Sequence, residues 1–177
     1  MATLEQKFLQ MSWKLHPDNF VNASEAERES SLRKSSELND AYRTLKEPVA
    51  RVEYLLAIEG ERREGGKKQQ APPELLEEVF ELNESLDELR EAKSEGGDLA
   101  GLRSRLESAK KNFQQKLEEV DAELFKTAKE WDATVDAEAN GNNAQPERKA
   151  VKARLNELLN RRAYIRNLVN NVQKELL

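Results

Sequence analysis

The sequence predicts an all-α protein in which a helical hairpin is followed by an antiparallel three-helix bundle. Its 177 residues include only 7 Gly and 5 Pro, and 6% of them are aromatic. Leu, Glu, Lys, Ala and Arg dominate instead, a bias typical of long helices and coiled-coil-like bundles. Apolar residues recur three or four positions apart along most of the chain, which is the spacing of a helical face. Because 36% of the residues are charged and 37% are hydrophobic, we expect thin, two-layer helical packing.

Two amphipathic helices are predicted on either side of a break at His16-Pro17-Asp18. The break is expected because proline cannot continue a helix and aspartate can close a turn. The apolar faces comprise, upstream, Leu4, Phe8, Met11 and Leu15 and, downstream, Leu38, Ala41, Tyr42 and Leu45. The only histidine of the chain therefore lies in a turn between two helices.

A short third helix and a linker are predicted next. Pro48 has the fixed φ that suits a first helical turn, and Val52, Leu55 and Leu56 follow it. Residues 60–73 contain pairs of Gly, Lys, Gln and Pro without an apolar period, as linkers do. We therefore expect a first domain over residues 1–59, a linker over 60–73 and a second domain over 74–177.

Three helices joined by short breaks predict an antiparallel bundle for the second domain. The first opens at Pro73 and ends at Gly96-Gly97, and Asp98 is the expected N-cap of the second. The second helix runs to Asn140-Gly141-Asn142, and the third begins near Pro146. Their apolar seams are Val79, Leu82, Leu86 and Leu89; then Leu99, Leu102, Leu106, Ala109, Phe113, Leu117, Val120, Leu124, Ala128 and Trp131; then Val151, Leu155, Leu158, Ile165, Val169, Val172 and Leu176. We expect both tryptophans, Trp13 and Trp131, to pack rather than to bind a ligand.

Composition argues against several classes of function. Without cysteine there is no thiol nucleophile, disulfide or thiolate ligand for zinc or an iron–sulfur cluster, and one histidine argues against a metal site. A net charge of -5 disfavours nucleic acid as a partner. The sequence has no Gly-rich phosphate loop, so we expect no enzyme and no cofactor. No apolar window of about 18 to 20 residues predicts a membrane span, and we expect a cytoplasmic protein.

Residues 8–20 (FLQMSWKLHPDNF) resemble helix II and the HPD loop of a J-domain, and residues 38–56 (LNDAYRTLKEPVARVEYLL) resemble helix III and the joint of the HscB type. J-domains switch on the ATPase of Hsp70 chaperones. The resemblance implies that the HPD loop, His16-Pro17-Asp18, contacts an Hsp70 of the HscA type, and that Lys7 and Lys14 add positive charge. Asn19 stands where the family often has lysine.

The start of the chain departs from the J-domain pattern. Helix II is reached by about Leu4, so the resemblance implies a truncated J-domain without helix I. We expect that region to be less stable than a full J-domain, because two apolar stripes lose a cover. An L-shaped arrangement of hairpin and bundle is also expected from the family.

A docking surface is predicted on the first bundle helix. Leu76 and Phe80 lie off its seam and beside several glutamates, and an apolar pair with an acidic rim is typical of a protein interface. In HscB-type proteins this bundle face binds IscU, the scaffold on which iron–sulfur clusters are built. Through the motif ELNESLDE, residues 81–88, the resemblance assigns scaffold binding to Leu76, Phe80, Glu81, Glu84, Glu88 and, on the last helix, Tyr164.

The predicted function is that of a co-chaperone with two protein partners. It binds an IscU-like scaffold, delivers it to an HscA-like Hsp70 and stimulates the ATPase of that chaperone through the HPD loop. The alternative is a structural or adaptor helical protein whose J-region does not work. A change at His16 should abolish stimulation in the first case and change nothing in the second.

Overall fold

The computed structural model describes residues 2–60, 72–97 and 99–177, which form two compact units divided after Gly60. The N-terminal unit contains α1 (Ala2–Leu15), a 3-10 turn (Pro17–Phe20), α2 (Glu25–Lys46) and α3 (Pro48–Ile58). The C-terminal bundle contains a 3-10 turn (Pro73–Leu75), α4 (Leu76–Glu95), α5 (Leu99–Ala139) and α6 (Gln145–Leu176). These ranges include no strand, so the predicted all-α fold is confirmed. Most of the predicted linker, and the predicted cap at Asp98, lie outside the described residues.

Local sequence signals set the helix starts of the N-terminal unit. The Ser24 hydroxyl accepts the Glu27 N–H at 3.4 Å, and the Glu27 carboxylate accepts the Ser24 N–H at 2.9 Å, so α2 begins with a capping box. Hydrogen bonds from the Ser24 side chain and backbone lower the pKa of Glu27. Helix α3 begins at Pro48, as predicted, and buries Val52 and Leu56.

Helix α1 packs on α2 through stacked rings, since the centroids of Phe8 and Tyr42 are 4.1 Å apart. This contact fixes which face of α1 is covered. Trp13 is 79% exposed, and the prediction that it packs is wrong. Trp13 is five positions after Phe8, so its side chain is rotated from that of Phe8 by about 140° around the helix axis and lies away from α2. Met11, expected on the apolar face, is also exposed.

Two glycines end the helices of the bundle. Gly96 ends α4 with φ 78°, and Gly141 follows α5 with φ 83°, in the left-handed region that glycine adopts without strain. The N–H groups of Gly96 and Gly97 both bond to the Ala92 carbonyl at 3.0 Å. The predicted ends of both helices are confirmed.

Ion pairs between helices record the direction of each helix in the bundle. Helices α4 and α5 are antiparallel, α5 and α6 are antiparallel, and α4 and α6 are therefore parallel. The pairs are Glu78–Lys116, Glu88–Arg105, Asp121–Arg162, Glu138–Arg148, Glu74–Arg161 and Arg90–Glu175. The predicted antiparallel three-helix bundle is confirmed.

The bundle core follows the predicted seams closely. All four seam residues of α4 are buried, and so is Trp131. Leu159 and Leu168 of α6 are also buried, although the predicted seam did not include them. Both lie beside seam residues, because a helix that packs against two others buries a wider stripe than a two-stranded seam.

Candidate functional site

The HPD loop is folded onto itself by its own histidine. The Asp18 N–H donates to His16 Nδ1 at 3.3 Å, and the Asn19 N–H donates to the His16 carbonyl at 3.0 Å. Pro17 supplies the first residue of the 3-10 turn. The same Nδ1 lies 3.5 Å from the Asp18 carboxylate, so this nitrogen faces the turn. The loop therefore presents an exposed imidazole and, at Asp18, an exposed carboxylate.

Side chains outside the tripeptide hold the carbonyls that precede it. Asn19 Nδ2 donates to the Trp13 carbonyl at 2.6 Å, and Ser31 Oγ donates to the Leu15 carbonyl at 2.9 Å. Both carbonyls belong to the last turn of α1, where a helix offers no partner of its own. Sequence reasoning missed Ser31, because nothing in the sequence separates it from the neighbouring serines of α2.

An open cavity of about 400 Å³ adjoins the loop. Its lining residues are Ser12, Trp13, His16, Asp18 and Asn19. The exposed indole of Trp13 thus lies on the same side of the N-terminal unit as the HPD loop. This surface combines an apolar ring with polar groups, which suits contact with another protein.

The two predicted basic residues lie along α1. Lys7 and Lys14 are both exposed, and their separation of seven residues is about two helical turns, so they share a face. Among the described residues, neither has an acidic partner. Their charges are therefore available to an acidic surface.

Helix α4 carries an exposed apolar patch, defined here as Leu76 and Phe80. Leu76 is 55% exposed and Phe80 is 71% exposed. They lie four residues apart on one face, while the buried seam of α4 occupies another. A phenylalanine ring held largely in water on a rigid helix is typical of a binding surface.

The glutamates around this patch are of two kinds. Glu77, Glu81 and Glu84 are exposed, and none has an ion-pair partner among the described residues. Glu88 instead lies 2.8 Å from Arg105 of α5. Its charge is already partly neutralised within the bundle, a difference that the spacing in the sequence could not reveal.

Glu81 also borders a groove of about 360 Å³ between α4 and α5. The groove is lined by Glu78, Glu81, Leu82, Ser85, Arg105, Ser108, Ala109, Asn112 and Phe113. Glu78, which also lines the groove, pairs with Lys116 of α5 at 2.9 Å. Glu81, which has no ion-pair partner among the described residues, therefore lies both beside the apolar patch and in the lining of the groove.

Tyr164 is half-buried on α6, at the predicted edge of the bundle. Arg161, one turn earlier on α6, lies 3.5 Å from Glu74 in the 3-10 turn that precedes α4. Because α4 and α6 are parallel, Tyr164 lies at the level of the first turns of α4. The structure thus brings Tyr164 to the same end of the bundle as the apolar patch, while Glu88 lies two turns further along.

Within the described ranges, no group of three or more His, Cys, Asp or Glu side chains could hold a metal ion. In the same part of the chain, no helix is both long and apolar enough to cross a membrane. The features that remain as candidate sites are the two exposed surfaces, one on each unit.

Comparison with known proteins identifies the family. Residues 71–173 match the family model described as the HSCB C-terminal oligomerisation domain. A co-chaperone protein HscB homolog of Vibrio parahaemolyticus is 36% identical over 123 residues, which cover 70% of each chain. A homolog from Aliivibrio salmonicida is 32% identical over 126 residues, covering 71% of this chain and 74% of the relative. The solved structure of the chaperone HscB from Vibrio cholerae superposes with a TM-score of 0.57 at 25% identity, over 98% of this chain and 86% of that one. The chain therefore belongs to the HscB family of co-chaperones.

Proposed function

We propose that this chain is a co-chaperone of iron–sulfur cluster assembly, which binds an IscU-type scaffold and delivers it to an HscA-type Hsp70. The observation that carries the proposal is the exposed HPD loop, in which the His16 imidazole accepts the Asp18 N–H at 3.3 Å. Family membership supports the co-chaperone role. ATP hydrolysis belongs to the Hsp70, and the chain itself catalyses no reaction.

The N-terminal unit supplies the contact with Hsp70. His16 offers its Nε2–H and Asp18 offers a carboxylate, so the loop complements a polar surface without any transfer of a proton. Lys7 and Lys14 attract an acidic partner and raise the association rate, an effect that salt screens. With Asn19 in place of the lysine frequent in the family, this attraction is weaker.

The C-terminal bundle supplies the contact with the scaffold. Burial of Leu76 and Phe80 provides the apolar core of the interface, and the unpaired Glu81 and Glu84 meet basic groups at its rim. Tyr164 extends the same surface from α6. Glu88 contributes less, because a partner would have to compete with Arg105 at 2.8 Å.

Two binding surfaces on one chain explain how delivery works. A scaffold held by the bundle is present near the Hsp70 at a high effective concentration, even where the direct affinity of the two proteins is low. Stimulated hydrolysis then favours the Hsp70 conformation that holds its client tightly, which couples scaffold binding to ATP turnover.

Single-turnover ATP hydrolysis by an HscA-type Hsp70, with an IscU-type scaffold present, tests this function. We expect His16→Gln to abolish the stimulation that the wild-type chain produces, with scaffold binding unchanged. Asn22→Gln, in the exposed segment after the 3-10 turn, is the matched control and should stimulate fully. Equal stimulation by wild type and His16→Gln would rule out the HPD loop as the activating element.

The alternative function is that of a helical adaptor built on the bundle, where residues 71–173 match the HSCB C-terminal oligomerisation domain. In that case the bundle binds its partner and the J-region is inactive. Scaffold binding without any stimulation, by either wild type or His16→Gln, would favour the adaptor and overturn the co-chaperone proposal.

A further inference from the structure

The C-terminal end of α1 is held by side chains that the helix itself does not provide. The last carbonyls of any helix lack intrahelical donors. Here the Trp13 carbonyl accepts from Asn19 Nδ2 at 2.6 Å and the Leu15 carbonyl accepts from Ser31 Oγ at 2.9 Å. Both bonds span the HPD loop, because each joins a carbonyl that precedes the loop to a side chain that follows it.

Ser31 acts at the peptide plane where the loop begins. It is 2% exposed, and it is the only buried polar residue among those described in the N-terminal unit. Its acceptor, the Leu15 carbonyl, shares a peptide plane with the nitrogen of His16. The bond therefore fixes, from α2, the orientation in which the chain enters the loop.

Asn19 closes the loop from its other end. Its side chain reaches back six residues to α1, while its N–H bonds to the His16 carbonyl. The loop is thus held by two anchors, Ser31 on α2 and Asn19 in the 3-10 turn, and both bond to carbonyls of α1. Neither anchor occupies the outward Nε2 of His16 or the carboxylate of Asp18.

We propose that Ser31 and Asn19 are positioning residues, which hold the HPD loop in the conformation that an Hsp70 binds. The inference rests on the proposed function, since it assigns a binding role to the loop. An ordered loop loses less conformational entropy on binding, so preorganisation raises affinity without any new contact. In this chain the residue after Asp18 therefore positions the loop, whereas a lysine there would add positive charge.

Loss of either anchor should weaken Hsp70 binding while the stimulated rate at saturation is kept. We expect Ser31→Ala and Asn19→Ala each to raise the chain concentration for half-maximal stimulation about fivefold, the factor for one hydrogen bond of ordinary net strength. Ser36→Ala, exposed on the same helix, and Asn22→Ala are matched controls that should leave this concentration unchanged. Scaffold binding should be equal for all of these variants.

The single histidine permits a direct test of the loop geometry. In ¹⁵N NMR spectra, the wild-type ring should show one proton-bearing nitrogen, Nε2, and one accepting nitrogen, Nδ1. Ser31→Ala and Asn19→Ala should bring the two nitrogen shifts closer, because a loosened loop populates both tautomers. A role confined to helix packing would lower the melting temperature and leave the imidazole shifts unchanged.

The outcomes separate this inference from the proposed function. Unchanged half-maximal concentrations together with unchanged His16 signals in both variants would overturn the positioning role, even if His16→Gln abolishes stimulation. Absence of stimulation by the wild-type chain would overturn the proposed function, and the NMR comparison would then decide whether the two residues hold the loop. Because Asn19 is exposed, its variant remains informative if Ser31→Ala unfolds.

Discussion

At the scale of single residues, position within the fold decides what each side chain can do. In His16, Nδ1 accepts the Asp18 N–H at 3.3 Å, and the proposed function assigns the other ring nitrogen, Nε2, to the partner. Phe80 and Val79 are adjacent in sequence, yet one is exposed and the other is buried. Glu84 and Glu88 are one turn apart, and among the described residues only Glu88 has an ion-pair partner. These contrasts allow binding and stability to be tested separately.

Phe80→Ala should weaken scaffold binding and leave the fold almost unchanged. A central aromatic residue at an interface typically contributes about 2 kcal/mol or more, so we expect at least a 30-fold rise in Kd. Isothermal titration calorimetry with the scaffold measures this, and Phe125→Ala on α5 is a matched control. A Kd within threefold of wild type would exclude Phe80 from the interface.

Neutralising the glutamates should affect scaffold binding unequally. We expect Glu84→Gln to raise Kd severalfold, less so in high salt, because an unpaired rim charge acts over long range. Glu88→Gln should change Kd less, and its loss of the Arg105 pair should cost at most about 0.5 kcal/mol of stability. Binding measured at two ionic strengths checks this order. A larger rise in Kd for Glu88→Gln than for Glu84→Gln would show that Glu88 leaves Arg105 to bind the scaffold.

At the scale of helices, boundaries follow from local chemistry and register follows from contacts between helices. Pro48 begins α3, and Gly96 and Gly141 end two bundle helices. The buried seams of α5 and α6 then pack together, and the ion pairs between the two helices follow their antiparallel register. Arg162 bonds to both carboxylate oxygens of Asp121, which adds directional preference to the charge attraction.

Two glycine substitutions should change stability in opposite directions. Gly96→Ala forces a side chain into φ 78° and should lower the free energy of unfolding by about 1 kcal/mol. Gly101→Ala, inside α5, should raise it by about 0.5 kcal/mol, because alanine favours the helix. Urea unfolding of the full chain measures both values. Equal effects of the two substitutions would contradict the role given to the left-handed cap.

The success of sequence reasoning at this scale has a physical cause. Helix starts, helix ends and buried seams depend on residues close in sequence, so Pro48, Gly96 and Leu89 could be assigned correctly. Trp13 could not, because its exposure depends on how Phe8 docks on α2. Ser31 and the pairing of Glu88 depend on atoms 16 and 17 residues away. The sequence does not predict the environment of a polar or aromatic side chain when that environment depends on a particular residue of another helix.

At the scale of the whole molecule, each unit presents one exposed candidate surface, and contacts between its own helices hold that surface in place. Phe8 and Tyr42 hold α1 against α2 in the N-terminal unit. In the bundle, Arg90 of α4 binds Glu175 near the end of α6 at 2.7 Å, and Lys93 donates to the Glu175 carbonyl at 2.8 Å. The last turn of the chain is thereby tied to the helix that carries the apolar patch.

The Arg90–Glu175 ion pair predicts that the bundle loses stability in acid. Hydrogen bonds from Arg90 lower the pKa of Glu175 below its ordinary value. A lowered folded-state pKa stabilises the fold above the unfolded-state pKa, and this stabilisation is lost as the pH falls through the folded-state pKa. Wild type should therefore exceed Glu175→Gln in stability at pH 7, and the difference should shrink below about pH 4.5. Chemical unfolding across this range, with Glu118→Gln as control, checks it.

The inner and outer faces of helix α4 can change independently of each other. Around its circumference, Val79, Leu82, Leu86 and Leu89 face the interior, whereas Leu76 and Phe80 face solvent. Under the proposed function, we expect substitutions on the outer face to change which scaffold is accepted and to leave the core intact. Substitutions on the inner face change stability and leave the docking chemistry intact. The same helix can therefore follow a changing partner over evolution without remaking the fold that supports it.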